Sequence, residues 1–152
     1  MNPFNYYTAA LKNYTKFDGR ANRSEFGYFI LFNIVISYAL VFLAKVVNFN
    51  TQEANPILSL YRLAVLVPTI AIIVRRFHDF NKSGWWALTF FATFIPVAAV
   101  WIFSAFTSGW FMLILFVPVV VATLLTYLVW LAVLVIKKST KGANSYGEES
   151  KA

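Results

Sequence analysis

The chain alternates long apolar stretches with short polar segments. The apolar stretches predict four membrane-spanning helices, at about residues 26–44, 57–74, 86–106 and 110–136. The last two belong to one uncharged run, from Ser83 to Ile136, which the turn-forming triplet at 107–109 divides. The second is the least regular, because Arg62 lies near its start and must extend its side chain to the membrane surface.

Three of these stretches contain a proline. Pro68, Pro96 and Pro118 each lie inside a predicted span. A proline removes one backbone hydrogen bond, and neighbouring helices can satisfy the carbonyl that it leaves free. The fourth stretch is also longer than a bilayer requires, so we expect it to tilt or to bend at Pro118.

The segment before the first span has a pattern of its own. Aromatic and aliphatic residues recur there at helical spacing, at Phe4, Tyr7, Leu11 and Tyr14. Asn2 is a good N-cap, and Pro3 suits the first helical position. The pattern predicts a short amphipathic helix over about residues 3–16 that lies in the membrane interface. A frayed polar tail is the alternative.

Composition and charge exclude several classes of protein. Hydrophobic residues make up 60% of the chain and charged residues 12%, which excludes a soluble domain, and without cysteine there is no disulfide framework. The net charge of +7 is concentrated at the ends of the spans, which indicates contact with anionic lipid and no nucleic-acid partner. We therefore predict an all-α membrane protein, with residues 1–152 as one domain and 137–152 as a polar tail.

The same basic residues predict the orientation in the membrane. Most of them lie in the N-terminal segment, in residues 75–85 and in the tail, whereas Lys45 and Arg62 lie toward the opposite face. Because loops rich in lysine and arginine stay inside, we expect both termini and residues 75–85 in the cytoplasm. Residues 48–56 and 107–109 are then outside.

A polar segment, residues 17–26, precedes the first span and has two interpretations. Asn22 and Glu25 have the spacing of a capping box, so Glu25 could close the first helical turn while nearby arginines only orient the protein. Alternatively, Arg20 and Arg23 form a clamp for a phosphate or lipid headgroup, and Glu25 orients one guanidinium.

The segment between the second and third spans, residues 75–86, is also polar. It contains Arg75 and Arg76, followed by the only histidine, His78, beside Asp79. The simplest interpretation is a basic loop in which His78 makes a structural hydrogen bond; catalysis and metal binding have weaker support, since no cysteine or second histidine is available. Two adjacent tryptophans act as interfacial anchors, Trp85 and Trp86.

Both polar segments are predicted at the same membrane face, so we expect them to meet. A carboxylate beside hydrocarbon is costly unless paired, and at least one arginine should therefore reach Glu25 or Asp79. The basic residues outnumber the acidic ones, and the surplus predicts a site for an anionic headgroup or another phosphate group. The candidate residues of this site are Arg20, Arg23, Glu25, Arg75, Arg76, His78 and Asp79.

Three motifs carry a resemblance to a known family. They are F-x-G-R-x-x-R-x-E-F at 17–26, R-R-F-H-D-x-x-x-S-G-W-W at 75–86 and G-x-N-x-Y-G at 142–147. Together they resemble the small bacterial inner-membrane proteins grouped as domain of unknown function 805. The resemblance implies a multi-span protein of the inner membrane and brings no activity. The chain departs from the family pattern at Gly27, Phe77 and Glu148, where Trp, Leu and Pro are usual.

The sequence supports three classes of function unequally. An enzyme is disfavoured, because the chain shows no nucleophile elbow, phosphate loop or paired catalytic carboxylates, and no cofactor is expected. A small transporter, channel or transporter subunit is the alternative, although the predicted spans hold no carboxylate for proton coupling, and Asn33 and Ser37 suit interhelical hydrogen bonds. The favoured interpretation is a non-enzymatic protein that organises the membrane or affects envelope permeability. Its expected partners are anionic lipids, a second copy or another membrane protein.

Overall fold

The computed structural model describes residues 2–46, 56–104 and 110–148. Its regular elements are six helices, namely α1 (Pro3–Lys12), α2 (Arg23–Val46), α3 (Pro56–Asp79), α4 (Trp86–Ala92), α5 (Ile95–Ser104) and α6 (Trp110–Ile136). Four stretches are long and apolar enough to cross a membrane, namely α2, α3, α4 with α5, and the larger part of α6. The predicted all-α membrane fold is confirmed. The predicted turn at 107–109 lies outside the described residues.

The N-terminal helix α1 is present but shorter than predicted. Asn2 caps it by accepting a hydrogen bond from the amide of Phe4, and Pro3 occupies the first turn, both as expected. It ends at Lys12 and not near residue 16. The cause is Asn13, whose side-chain amide donates to the carbonyl of Ala9 at 2.9 Å and whose backbone leaves the helical region.

The face that α1 buries also differs from the predicted stripe. The buried residues of α1 are Tyr6, Tyr7 and Ala10. Tyr14, which the stripe placed on the apolar face, is half exposed beyond the end of the helix. Tyr6 and Tyr7 stack on two aromatic rings of α2, Tyr28 and Phe29, at centroid distances of 5.6 and 5.8 Å. Helix α1 therefore packs against the first turns of α2 and does not only rest on lipid.

The three prolines inside predicted spans have different outcomes. Helices α3 and α6 continue through Pro68 and Pro118. The third span, predicted as one helix over 86–106, is instead interrupted at residues 93 and 94. Pro96 cannot donate a hydrogen bond to the preceding turn, and the hydroxyl of Thr93 donates to the carbonyl of Phe90 at 2.7 Å. These two effects separate α4 from α5.

Helix α3 is longer than the predicted span 57–74 and includes residues 75–79, which were predicted as a loop. It ends through a Schellman motif. Asn81 adopts a left-handed conformation with φ of 56°, its amide donates to the carbonyl of His78, and the amide of Lys82 donates to that of Phe77. The two arginines, the histidine and the aspartate of the second motif therefore sit on the last turns of a helix.

The protein core is concentrated at the end of the bundle that carries α1 and the tail residues up to 148. Its largest fully buried residues include Phe26, Phe29, Ile72 and Arg76. Toward the opposite end the helices expose large apolar side chains, as expected for surfaces that face lipid; Leu60, for example, is 70% exposed. The polar motifs thus lie where the helices are packed most tightly.

Candidate functional site

The three sequence motifs meet in one buried assembly, which we call the motif cluster. It consists of Arg20, Glu25, Arg75, Arg76, His78, Asp79 and the tail residues 140–147. At its centre Asp79, on the last turn of α3, is fully buried. Its carboxylate pairs with Arg20 at 2.9 Å and also with Arg76. The prediction that an arginine would reach Asp79 is confirmed, with two arginines sharing one carboxylate.

Arg20 connects α3 to the C-terminal tail. Its Nε donates to Asp79 at 3.0 Å, and its terminal nitrogens donate to the carbonyls of Thr140 and Gly142, both at 2.6 Å. A longer bond reaches the carbonyl of Gly147 at 3.4 Å. A fifth bond runs from Nη2 to the hydroxyl oxygen of Thr140 at 3.2 Å. The guanidinium has five N–H groups, and these five bonds use all of them. Arg20 is therefore a structural clamp, with no donor left for a headgroup.

Arg76 connects α3 to the end of α6. It is fully buried, its Nε donates to the carbonyl of Leu134 at 2.7 Å, and Nη2 donates to that of Lys137 at 2.5 Å. Its guanidinium also lies 4.4 Å from the ring centroid of Phe80. The last carbonyls of a helix lack partners within the helix, so Arg76 satisfies groups that α6 leaves free. Like Arg20, it serves the fold.

Glu25 pairs with Arg75, at 3.0 Å, and both side chains are about nine-tenths buried. The predicted capping box forms only in part: Asn22 accepts a hydrogen bond from the amide of Glu25 at 2.7 Å, whereas the carboxylate of Glu25 turns to α3. Two nitrogens of Arg75, Nε and Nη2, are buried without a hydrogen-bond partner among the described residues. They are the unused donors of the motif cluster.

His78 joins the cluster through a ring stack. Its ring lies parallel to that of Tyr146, with centroids 3.9 Å apart, and its Nδ1 is 3.2 Å from the carbonyl oxygen of Gly19. The predicted structural hydrogen bond of His78 is thus present. On its other side the ring approaches Gly84, where an added Cβ would come within 3.2 Å of Nε2 and 2.9 Å of Val74. A side chain at position 84 would therefore force Val74 or His78 to shift.

The tail folds back as a compact turn. Asn144 donates to the carbonyl of His78 at 2.9 Å and accepts from the amide of Tyr146 at 2.8 Å, and the backbones of Asn144 and Gly147 exchange two hydrogen bonds. Gly142 and Gly147 have φ of 74° and 120°, values that favour glycine. The role of the G-x-N-x-Y-G motif is therefore to close the cluster, a role that sequence reasoning missed.

Three predicted site residues lie outside the hydrogen-bonded assembly. Arg23, at the first position of α2, is exposed. Trp85 is 78% exposed, while Trp86 is partly covered by Trp130, at a centroid distance of 6.5 Å, and by the ammonium of Lys82. An exposed tryptophan at the end of a span suits the predicted interfacial anchor.

The motif cluster offers charge and hydrogen bonding. Within residues 2–46, 56–104 and 110–148 no group of three metal-ligating side chains occurs. Three guanidinium groups face two carboxylates, so one positive charge remains, and Arg75 holds the unused donors. The assembly can hold segments together and attract an anion.

Comparisons with known proteins agree with this picture. Residues 14–108 match the family described as protein of unknown function (DUF805). The chain is similar to the inner membrane protein YhaI of Escherichia coli strain K12, with 32% identity over 147 residues that cover 96% of this chain and 95% of the relative. It is also similar to the inner membrane protein YhaH of the same strain, with 38% identity over 100 residues, 65% of this chain and 83% of the relative. No solved structure matches significantly. With four apolar helices and these relatives, the chain is a multi-pass inner-membrane protein that belongs to the DUF805 family.

Proposed function

We propose that this protein is a non-enzymatic factor that organises the inner membrane by holding anionic lipid headgroups at its cytoplasmic face. In this proposal the motif cluster is a rigid support, because Arg20 and Arg76 spend their donors on Asp79 and on backbone carbonyls. The lipid contacts come from the exposed cations around the cluster. The unused donors of Arg75 are buried within the cluster.

The observation that carries the proposal is the charge left on the surface around the cluster. The buried arginines exceed their carboxylates by one charge. The larger excess is on the surface, where the exposed cations at this end of the bundle are Lys12, Lys16, Arg23, Lys82, Lys137, Lys138 and Lys141. Exposed carboxylates there, among the described residues, are those of Asp18 and Glu148. Each cation near an anionic membrane surface contributes about 1 kcal/mol of attraction, so the excess gives a clear preference for anionic lipid.

The proposal places both termini in the cytoplasm. The support is the positive-inside rule, together with the contacts of Arg20 and Arg76 that hold the N-terminal segment and the tail at one end of the bundle. Single cysteines at Asn50 and Lys141 test the orientation in intact cells with an impermeant thiol reagent. Labelling at 50 but not at 141 is expected, and the reverse pattern would overturn the orientation.

Native mass spectrometry of the full chain tests lipid binding, with phosphatidylglycerol as the anionic lipid and phosphatidylcholine as the zwitterionic one. We expect the wild type to retain phosphatidylglycerol preferentially, and a double variant, Arg23→Gln with Lys82→Gln, to lose roughly 30-fold of that preference, since two cations contribute about 2 kcal/mol. The matched control is Lys45→Gln, at the opposite end. Equal preference in all three proteins would refute the proposal. Arg76→Gln is unsuitable, because it removes a buried structural contact.

A transporter or transporter subunit has less support. In the described parts of the spans the carboxylates are Glu25 and Asp79, and both pair with arginines at one end of the bundle. A proton-coupled transporter needs a titratable group at depth in the membrane. A second copy of the chain or another membrane protein remains a proposed partner, which cross-linking in native membranes would identify.

A further inference from the structure

A cavity of about 520 Å³ opens between α2, α3 and α6, away from the motif cluster. This volume is within the range of small-molecule sites, roughly 300–1,000 Å³. Its walls include Phe29, Asn33 and Val41 of α2, Arg62 and Thr69 of α3, and Leu131 of α6. Because all three helices are membrane spans, the cavity lies at the depth of the lipid chains.

The cavity is elongated along the membrane normal. On α2 it extends from Phe29 to Val41, which corresponds to about 18 Å of helix. Leu131 marks the end nearer to the motif cluster, since Leu134, one turn further along α6, binds Arg76. Arg62, six residues after the start of α3, marks the opposite end. The shape is that of a slot with one charged end.

Three polar side chains that line the slot already have partners. The hydroxyl of Tyr61 donates to Asn33 at 2.6 Å, and the amide of Asn33 donates to the carbonyl of Phe29 at 2.8 Å. The hydroxyl of Thr69 donates to the carbonyl of Val65 at 2.6 Å. The Tyr61–Asn33 bond holds α2 against α3, as predicted for Asn33, and these three side chains need no polar group from a ligand.

Arg62, in contrast, has a side chain without an ion-pair partner among the described residues. It lines the slot, and its side chain is exposed. A guanidinium near a span end extends toward the headgroup region, where a phosphate is the anion at hand. We propose that this slot binds one anionic phospholipid, with an acyl chain between α2 and α3 and the phosphate on Arg62. The site is separate from the cation surface around the motif cluster.

Competition for the bound lipid tests this proposal on the full chain in detergent. Native mass spectrometry compares phosphatidylglycerol, phosphatidylcholine and inorganic phosphate on four proteins: wild type, Arg62→Gln, Ser37→Phe and Lys45→Gln. We expect the Arg62→Gln variant to lose about fivefold of the preference for phosphatidylglycerol, the effect of one cation near the membrane surface. Ser37→Phe narrows the slot and should lower the retention of both lipids, because Ser37 lines it. Lys45→Gln should behave as the wild type.

The outcomes separate this site from the one under "Proposed function". If Arg62→Gln loses the preference and the Arg23→Gln, Lys82→Gln double variant behaves as the wild type, the slot alone is supported. If the double variant loses the preference and Arg62→Gln behaves as the wild type, the slot proposal is overturned. Binding of inorganic phosphate as tight as that of phosphatidylglycerol would also overturn it, because the acyl chain would then contribute nothing. Thermal melts of each variant without added lipid verify folding. An unchanged lipid profile in a folded Ser37→Phe variant would contradict the slot as the chain-binding surface.

Discussion

Replacing Asp79 with asparagine removes the one carboxylate that two buried guanidinium groups share. Asp79 and Arg76 are both fully buried, and the side chain of Arg20 is 1% exposed. Loss of one partner from a buried ion pair typically costs about 3–5 kcal/mol. The cost is not doubled here, because both arginines keep backbone carbonyls as acceptors, on Thr140 and Gly142 for Arg20 and on α6 for Arg76. We therefore expect Asp79→Asn to lower the free energy of unfolding by about 3–5 kcal/mol.

Thermal denaturation in detergent, followed by tryptophan fluorescence, measures this loss. At roughly 2–4 °C per kcal/mol for a chain of this size, the midpoint should fall by roughly 6–20 °C. The control is Asp18→Asn, which makes the same chemical change at an exposed carboxylate close to the cluster in sequence. If the two variants melt within about 2 °C of each other, Asp79 does not hold the cluster together and the reasoning fails.

Three further predictions concern single contacts. Tyr61→Phe removes the bond to Asn33 and should lower the free energy of unfolding by about 0.6 kcal/mol, seen as a slightly lower melting midpoint. An unchanged midpoint would show that the bond is dispensable. Gly84→Ala places a Cβ against neighbouring side chains and should lower the free energy of unfolding by about 1–3 kcal/mol. At Gly27→Ala the added Cβ meets nothing within 4 Å, so this variant should raise the free energy of unfolding by about 0.5–1 kcal/mol in the same melt. Tyr146→Ala removes the ring stack that fixes the tail, so limited proteolysis should cleave the tail faster; an equal cleavage rate would contradict that role.

The spans could be predicted from the sequence because hydropathy alone sets them. The predicted fourth span, 110–136, coincides with α6. The predicted helix bounds were wrong where a local contact interrupts or extends a helix that the hydropathy pattern indicates. Pro96 divides the third span although Pro68 and Pro118 leave their helices continuous, and the three differ in their surroundings and not in their chemistry. Periodicity cannot report that difference, which depends on the neighbours of each freed carbonyl.

The ion pairs of the cluster were predictable on energetic grounds, and the pairing of Glu25 and Asp79 with arginines is confirmed. The acceptors of the other arginine N–H groups could not be predicted. The surplus of arginine over carboxylate was assigned to a ligand, but Arg20 and Arg76 use theirs on backbone carbonyls. Every residue carries a carbonyl, so the sequence marks none of them as an acceptor. The available signal was the total number of donors: three arginines carry fifteen N–H groups, whereas two carboxylates offer about eight lone-pair sites.

The clamp between Arg20 and the tail has a consequence for biosynthesis. Arg20 and Thr140 are separated by 120 positions along the chain. At 5–20 residues per second, on the order of ten seconds pass on the ribosome between them. During that interval the first spans can enter the bilayer while the guanidinium still has to be satisfied by water or lipid phosphate. Insertion and closure of the cluster are thus separate events in time, and a ribosome that stalls before residue 140 leaves a membrane-inserted chain with an open cluster.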